Sequence, residues 1–298
     1  MISFFCRYED ILAYEGRVSQ FYKLKRKKRH KMFLRTTLQS IVSHRYLIKN
    51  FMIKDLKTRY AGSAIGFLWS VIHPLSTLAV YSLVYSWMLN MRVGLEFGTD
   101  NFTIWLFAGL LPWIFFAETI SRSTSIVFDN ANLIKKTVFP SEVLPVSLLF
   151  SNLVNFLIGF FILICGIFIT GGHISIASFL SIFIYIIPLM LMTLGFSWLC
   201  SSLNVFFRDL GQIISVVLNI IFYASAIIYP LNVIPQQARG WFFWNPLIHV
   251  IQGIRLSLFK GEIIGDLELI YLYCFAIVLF MLGQFIFQKT KKGFVDVI

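Results

Sequence analysis

The stretch KTRYAGSAIGFLWSVIHPLSTLAVYSLVYSW, Lys57–Trp87, decides how the rest of the chain is read. Lys57, Arg59 and Tyr60 give way within a few residues to an apolar run, and no Asp, Glu, Lys or Arg occurs from Ile65 to Leu89. A helix over that run rises about 1.5 Å per residue, enough to cross a hydrocarbon core of about 30 Å with some tilt. A simple anchor needs none of the run's other features. Gly62 and Gly66 stand four apart at its entrance, His73-Pro74 lies inside it, and Phe67, Trp69, Tyr81, Tyr85 and Trp87 make it aromatic. The glycines suit either close helix approach or a hinge, and Pro74 removes a backbone hydrogen bond and bends the helix.

Working outward, the composition agrees with a membrane span. Of 298 residues, 58% are hydrophobic and 13% charged, against about 25% charged in an average soluble domain. The mean hydropathy is +0.77. This excludes a soluble globular domain and indicates an all-α, multi-pass membrane protein. The net charge of +12 is unevenly spread, with 15 of the 26 Lys and Arg in residues 1–59. Such clustering follows the positive-inside rule, with anionic lipid head groups as counter-charge, and gives no footprint for nucleic acid.

Three segments follow. Residues 1–35 read as a basic cytoplasmic arm, with KLKRKKRHK at 23–31, that fixes topology or meets anionic lipid. Residues 36–60 carry apolar side chains at spacings near three and four, with charges between them, as in an amphipathic helix lying in the membrane interface. Residues 61–298 form the transmembrane domain, with six spans at about 65–89, 102–120, 143–169, 177–203, 213–229 and 267–287. With the N-terminus inside, the inner segments hold 22 Lys and Arg and the outer ones 4, so both termini are expected in the cytoplasm. Residues 230–265, between the fifth and sixth spans, are aromatic and apolar but interrupted at Pro235 and Asn245-Pro246. Each half is too short to span, which predicts two re-entrant or interfacial helices. Trp241, Trp244, Asn245, Pro246 and Arg255 lie in this stretch.

No motif for self-supplied chemistry is present. There is no GxxxxGK[ST], no HExxH, no Ser-His-Asp pattern and no carboxylate pair within a span, and Cys6, Cys165, Cys200 and Cys274 have no disulfide or zinc spacing. No catalytic residue, metal or cofactor site is expected. An ion-coupled carrier keeps an ionisable group near mid-membrane. The spans offer only His73 and, near an end, Glu118. Any transport energy therefore comes from a partner.

The segment Asp129–Val143, DNANLIKKTVFPSEV, suits such a partner. Asp129 and Asn130 are good helix caps, and Leu133, Ile134 and Phe139 give a short amphipathic helix an apolar edge. Asn132, Lys135 and Lys136 complete the candidate coupling surface. Among the aromatics, Trp69, Tyr81, Tyr85, Trp87 and Trp113 face either lipid or a pore, where aromatic faces would suit sugar rings.

The ordered set Lys54–Tyr60 (KDLKTRY), Gly62-Ser63, Gly66–Ser70 (GFLWS), Pro74-Leu75, Phe107–Trp113 (FAGLLPW), Asn132–Lys136 (NLIKK), Phe139-Pro140, Arg208-Asp209 and Asn245-Pro246 resembles ABC-2 type polysaccharide exporter permeases. The resemblance covers about residues 36–290 and is nearer to O-antigen exporters than to capsule or teichoic acid exporters. It implies a homodimeric channel paired with two copies of a separate ATPase that binds ATP-Mg, in the bacterial inner membrane. It also implies an undecaprenyl-pyrophosphate-linked polysaccharide as cargo, a coupling helix between spans two and three, and periplasmic gate helices between spans five and six. Lys57, Arg59 and Tyr60 would then stand at the inner mouth, where cations suit a pyrophosphate or, equally, lipid phosphate. Two readings of other classes stay open: a membrane-embedded lipid-sugar transferase, which needs carboxylates or His grouped at one face, and an ion-coupled flippase, which needs intramembrane charge or inverted repeats.

Overall fold

The computed structural model describes residues 42–59, 63, 65–94, 97–136 and 139–297. The basic arm, Tyr60 and Gly62 lie outside the described residues. The chain divides into two compact units, Met1–Ile48 and Lys49–Ile298, and the boundary falls inside the first helix, α1 (Arg45–Arg59). In the first unit, Arg45 lies over the Tyr46 ring, 5.3 Å from its centre.

The second unit is helical throughout the described residues. After α1 come α2 (Trp69–Tyr81), α3 (Phe102–Asp129), α4 (Ala131–Lys136) and α5 (Val143–Ile169). Then follow α6 (Ile176–Asn204), α7 (Leu210–Ala224), α8 (Gln236–Phe243), α9 (Pro246–Phe259), α10 (Asp266–Thr290) and the short α11 (Phe294–Val297). Among the described residues, four helices are long and apolar enough to cross a membrane: α3, α5, α6 and the run from Asp266 to Val297. Where no water reaches the backbone, a helix satisfies each N–H and C=O internally, so apolar runs of this length fold as helices.

The first expected span is a composite. A 3₁₀ turn, Gly66–Leu68, opens it, α2 with Pro74 forms its middle, and Ser82–Met88 continues as a π-helix. Gly66 has φ +57°, a conformation that costs glycine nothing. At the far end the ladder widens to i→i+5, as in Leu89 N–H to the Val84 carbonyl at 3.0 Å. Asn90, at φ 50°, then ends the helix in the left-handed region that Asn tolerates.

The structure shifts two expected boundaries. The second span was expected to end near Ile120, but α3 runs on to Asp129. The polar residues beyond Ile120 are not a loop: Ser123 and Thr124 are buried and bond the carbonyls of Ile120 and Ser121. The fifth expected span, 213–229, begins earlier and stops at Ala224. Ala226, at φ 49°, turns the chain out of the helix, although Ala226–Ile228 is apolar.

Helix α3 is the hub. Its side chains are buried along most of its length, Trp105 and Leu106 completely, and α5, α6, α7 and α9 all pack on it. Asn101 caps it, its side chain accepting from Ile104 N–H at 3.3 Å. The pair α6 and α10 is joined nearly backbone to backbone. A Cβ at Gly195 would lie 2.6 Å from the Leu279 carbonyl oxygen, and one at Gly283 would strike the Gly195 carbonyl. Small residues permit this approach, which larger ones would wedge open.

Helix α9 starts from Asn245, whose side chain accepts from Leu247 N–H at 3.0 Å, with Pro246 at the first helical position. It packs into the bundle against α3 and α6 rather than lying on its surface. A short helix was expected for the second half of 230–265, re-entrant or interfacial; the helix is there, and it is buried among other helices. The first half is shorter: a 3₁₀ turn at Leu231–Val233 and then α8.

Candidate functional site

The last turn of α1 divides the KDLKTR segment into two faces. Lys54 and Lys57 are exposed, while Asp55 and Arg59, four apart and so on one side, turn toward α3 and α5. Glu118 and Arg122 occupy the matching pair of positions on α3. Arg122 grips Asp55 through both terminal nitrogens: Nη1 donates to Oδ2 at 3.1 Å and Nη2 to Oδ1. Arg59 Nη1 donates to Glu118 Oε1 at 2.6 Å, and its Nη2 donates to Asn152 Oδ1 at 2.5 Å. Ser151 Oγ donates to Asp55 Oδ2 at 2.5 Å, and Asn152 Nδ2 donates to Thr119 Oγ1 at 2.8 Å. Two guanidinium groups thus meet two carboxylates, and α5 adds Ser151 to Asp55 and Asn152 to Arg59. Planar, two-pronged pairing of this kind fixes orientation as well as binding.

The network borders a cavity of about 540 Å³ between α2, α3 and α5. Trp69, Trp113 and Phe156 form aromatic walls, and Arg59, Glu118, Asn152 and Asn155 form a polar end. The Trp69 indole is steadied by its Nε1–H, which donates to Ser63 Oγ at 2.8 Å.

The candidate pore aromatics separate. Tyr81 and Tyr85 stack on each other at 6.0 Å and touch Phe222 and Phe102. Trp113 is buried, 5.5 Å from the Phe222 ring. Trp69 is partly open, and Trp87, 77% exposed, stands clear of the helices.

The candidate coupling segment is a six-residue helix on a bent corner. Asn130 closes α3, with Nδ2 donating to the Ile126 carbonyl at 2.9 Å, and its own carbonyl accepts from Leu133 and Ile134 N–H. Asp129 accepts from Ser125 Oγ at 2.9 Å. Ile134 is buried, Asn132 and Lys135 are exposed, and of Lys136 only the backbone is described. Phe139 lies beyond the helix end, its ring 5.5 Å from Phe51 of α1. The short α11 packs on α4. Phe294 of α11 is fully buried between Phe206 and Phe287. Just ahead of it, Lys291 Nζ lies 3.3 Å from Glu142 Oε2.

At the candidate gate, Trp241 and Trp244 are 83% and 75% exposed. Asn245 also donates through Nδ2 to Ser225 Oγ at 2.8 Å and to the Ala224 carbonyl at 3.1 Å. Arg255 is buried. Its Nε donates to the Trp105 carbonyl at 3.2 Å, Nη1 to Ala226 at 3.1 Å and Nη2 to Ile227 at 2.6 Å. Its guanidinium lies over the Trp105 ring, 3.4 Å from the centre. Gly109 makes room, since a Cβ there would lie 2.9 Å from Arg255 Cζ. No carboxylate among the described residues pairs with it, so carbonyl dipoles and an aromatic face carry the whole charge.

The helix α1 locked to α3, the short α4 and the buried α9 belong to a chain whose sequence has relatives among known proteins. Residues 46–259 match the ABC-2 type transporter family. The chain belongs to that family. Among its relatives are O-antigen export system permease proteins RfbA. The one from Klebsiella pneumoniae is 32% identical over 82% of this chain and 92% of its own length. The one from Myxococcus xanthus is 27% identical over 87% and 98%. The polysialic acid transport protein KpsM of Escherichia coli is 21% identical over 83% and 94%.

The family match spans α1 to the end of α9 and so takes in both arginine sites. Sequence reasoning passed over Asp55, Arg122, Ser151 and Asn152 as site residues. The available signal was the repeated acid–x–x–x–Arg spacing, Asp55–Arg59 and Glu118–Arg122, which puts both charges of each pair on one helix face. The described residues hold no cluster of His, Cys, Asp or Glu suited to a metal.

Proposed function

We propose that this chain is the channel-forming membrane subunit of an ATP-driven exporter of lipid-linked polysaccharide, of the O-antigen kind, in the bacterial inner membrane. The observation that carries this is the likeness to the Klebsiella RfbA permease over nearly all of that protein's length. Lower identity to KpsM favours O-antigen over capsule as cargo. In this reading the chain has six spans, α2 with its π extension and α7 being the two that fall short of the others. Both termini lie inside, two copies pair around the path, and two copies of a separate ATPase bind ATP-Mg. Residues 1–35 are a basic cytoplasmic arm, 36–60 an interface helix and 61–298 the transport domain. No catalytic residue, metal or cofactor belongs to this chain.

Asn132, Lys135 and Lys136 of α4, flanked by Asp129, Asn130 and Phe139, take the push of the ATPase. Leu133 and Ile134 pass it to α3. The Asp55–Arg122 and Arg59–Glu118 pairs then carry it to α1, so the interface helix moves with the central span. Lys57 and Tyr60 meet the anionic pyrophosphate–undecaprenyl linkage beside Arg59. Trp69, Tyr81, Tyr85, Trp87 and Trp113 border the sugar path, and Trp241 and Trp244, held by the Asn245–Pro246 cap and the Arg255 anchor, gate the outer end. The test is a deletion strain with a tagged copy returned. Undecaprenyl-linked polymer should accumulate inside the deletion strain, and an ATPase should co-purify with the tagged protein. Absence of both would refute the reading.

A further inference from the structure

Helix α4 is six residues long. Isolated helices shorter than about 12 residues are marginal in water, so the neighbours of α4 decide where it stands. One neighbour is local: the Asn130 carbonyl accepts from Leu133 and Ile134 N–H. Another comes from far along the chain, where α11 packs on α4.

The segment that carries α11 is itself firmly tied. Phe294 is fully buried, its ring 5.5 Å from Phe287 of α10 and 6.4 Å from Phe206 in the connection between α6 and α7. Lys291 Nζ lies 3.4 and 3.3 Å from the two carboxylate oxygens of Glu142, a buried residue at which the chain leaving α4 enters α5. Trp198 of α6 donates through Nε1–H to the carbonyl of the same Glu142 at 3.3 Å. The helical run that starts at Asp266 continues to Val297 through a 3₁₀ turn at Lys291–Gly293, so α11 is continuous with the inner end of α10. Further along, α10 meets α6 nearly backbone to backbone at Gly283 and Gly195.

We infer that Lys291–Val297 is a clasp that positions α4, with Phe294 as its anchor and Lys291 as its second tie. The clasp holds α4 against the inner end of the α6–α10 pair, so a displacement of α4 reaches that pair as well as α3. Phe294 and Lys291 are positioning residues, since they act through α4. The transmission rests on the exporter reading, which supplies the ATPase that pushes α4. The placing of α4 by the clasp does not.

Hydrogen exchange read by mass spectrometry, on the full chain in phosphatidylcholine nanodiscs, tests the placing. Phe294→Ala should speed exchange in peptides covering residues 131–136 about tenfold, with residues 104–120 of α3 unchanged. Phe294→Leu, which keeps most of the apolar volume, should restore the protection. Faster exchange confined to residues 291–297, or an equal gain across the whole bundle, would overturn the inference. If Phe294→Ala gives no folded protein, Lys291→Ala should speed exchange at 131–136 about threefold, and no change there would overturn it equally. The transmission is read on the complex with its ATPase in vesicles. Polymer exported per ATP hydrolysed should fall about fivefold in Phe294→Ala and recover in Phe294→Leu, and an unchanged ratio would overturn the transmission. If the deletion strain strands no polymer, the exporter reading fails, and the exchange result still decides the clasp.

Discussion

Arg59 and Arg255 solve the same problem, a cation held inside a helical bundle, in opposite ways. Arg59 is met by Glu118, by Asp55 at 3.5 Å and by Asn152, and its side chain keeps 15% exposure beside an open cavity. Arg255, 2% exposed, is met by three backbone carbonyls and one indole face. Side-chain partners can swing away and be replaced by others. Backbone carbonyls at a chain reversal cannot, because moving them moves the fold. The first arrangement suits a joint between elements that shift, and the second suits a fixed post tying α9 to α3 and to the chain leaving α7.

The comparison can be broken at Arg255 first. Arg255→Ala should remove folded protein, since it strands three buried carbonyls at about 1–3 kcal/mol each and empties the space beside Trp105. Size-exclusion chromatography after a heating series would show it as loss of the monodisperse peak. Arg255→Lys should recover only part of that, about half, because an ammonium group lacks the planar fork that reaches separate carbonyls and lies flat on the indole. Full stability in the Lys variant would mean that charge alone holds the post.

Glu118→Ala should cost less, about 1–3 kcal/mol. The double variant Arg59→Met/Glu118→Leu should be more stable than the Glu118 single variant, because no cation is left unpaired. If both keep ATP hydrolysis while polymer export falls, the joint transmits motion. If export survives in the double variant, the joint only holds α1 in place. The smallest effect belongs to Lys57→Ala: an exposed cation should change stability by less than about 0.5 kcal/mol, which the same heating series would check. A large loss there would show that the outward face of α1 is as built-in as its inward one.

Much of this bundle was legible in the sequence, because apolar runs and cap residues act locally. Val143–Ile169 is the helix expected, and 177–203 falls within the observed Ile176–Asn204. The errors came where polarity or its absence has a tertiary cause. The α3 extension reads as a loop only if Arg122 is assumed to face water, whereas it faces Asp55, 67 residues earlier. The Ala226–Ile228 stretch reads as span, yet it leaves the helix and turns two carbonyls to Arg255. Arg255 itself lay in a segment read as a gate, and nothing near it in sequence announces three carbonyl partners. Four-residue charge spacing on α1 and α3 was visible, but a single helix does not reveal which face finds a partner.

The π-helix at Ser82–Met88 governs how the aromatics within it point. In an ordinary helix, the direction a residue points is fixed by its place in the chain, at about 100° per residue. In a wide-turn segment that direction also depends on which carbonyl each amide selects. Exchanging the Leu89–Val84 bond for one a residue nearer would turn Trp87 about the helix axis without changing its side-chain torsions or the chain's length. The heading of Trp87 is therefore set by the hydrogen-bond ladder as well as by its place in the chain.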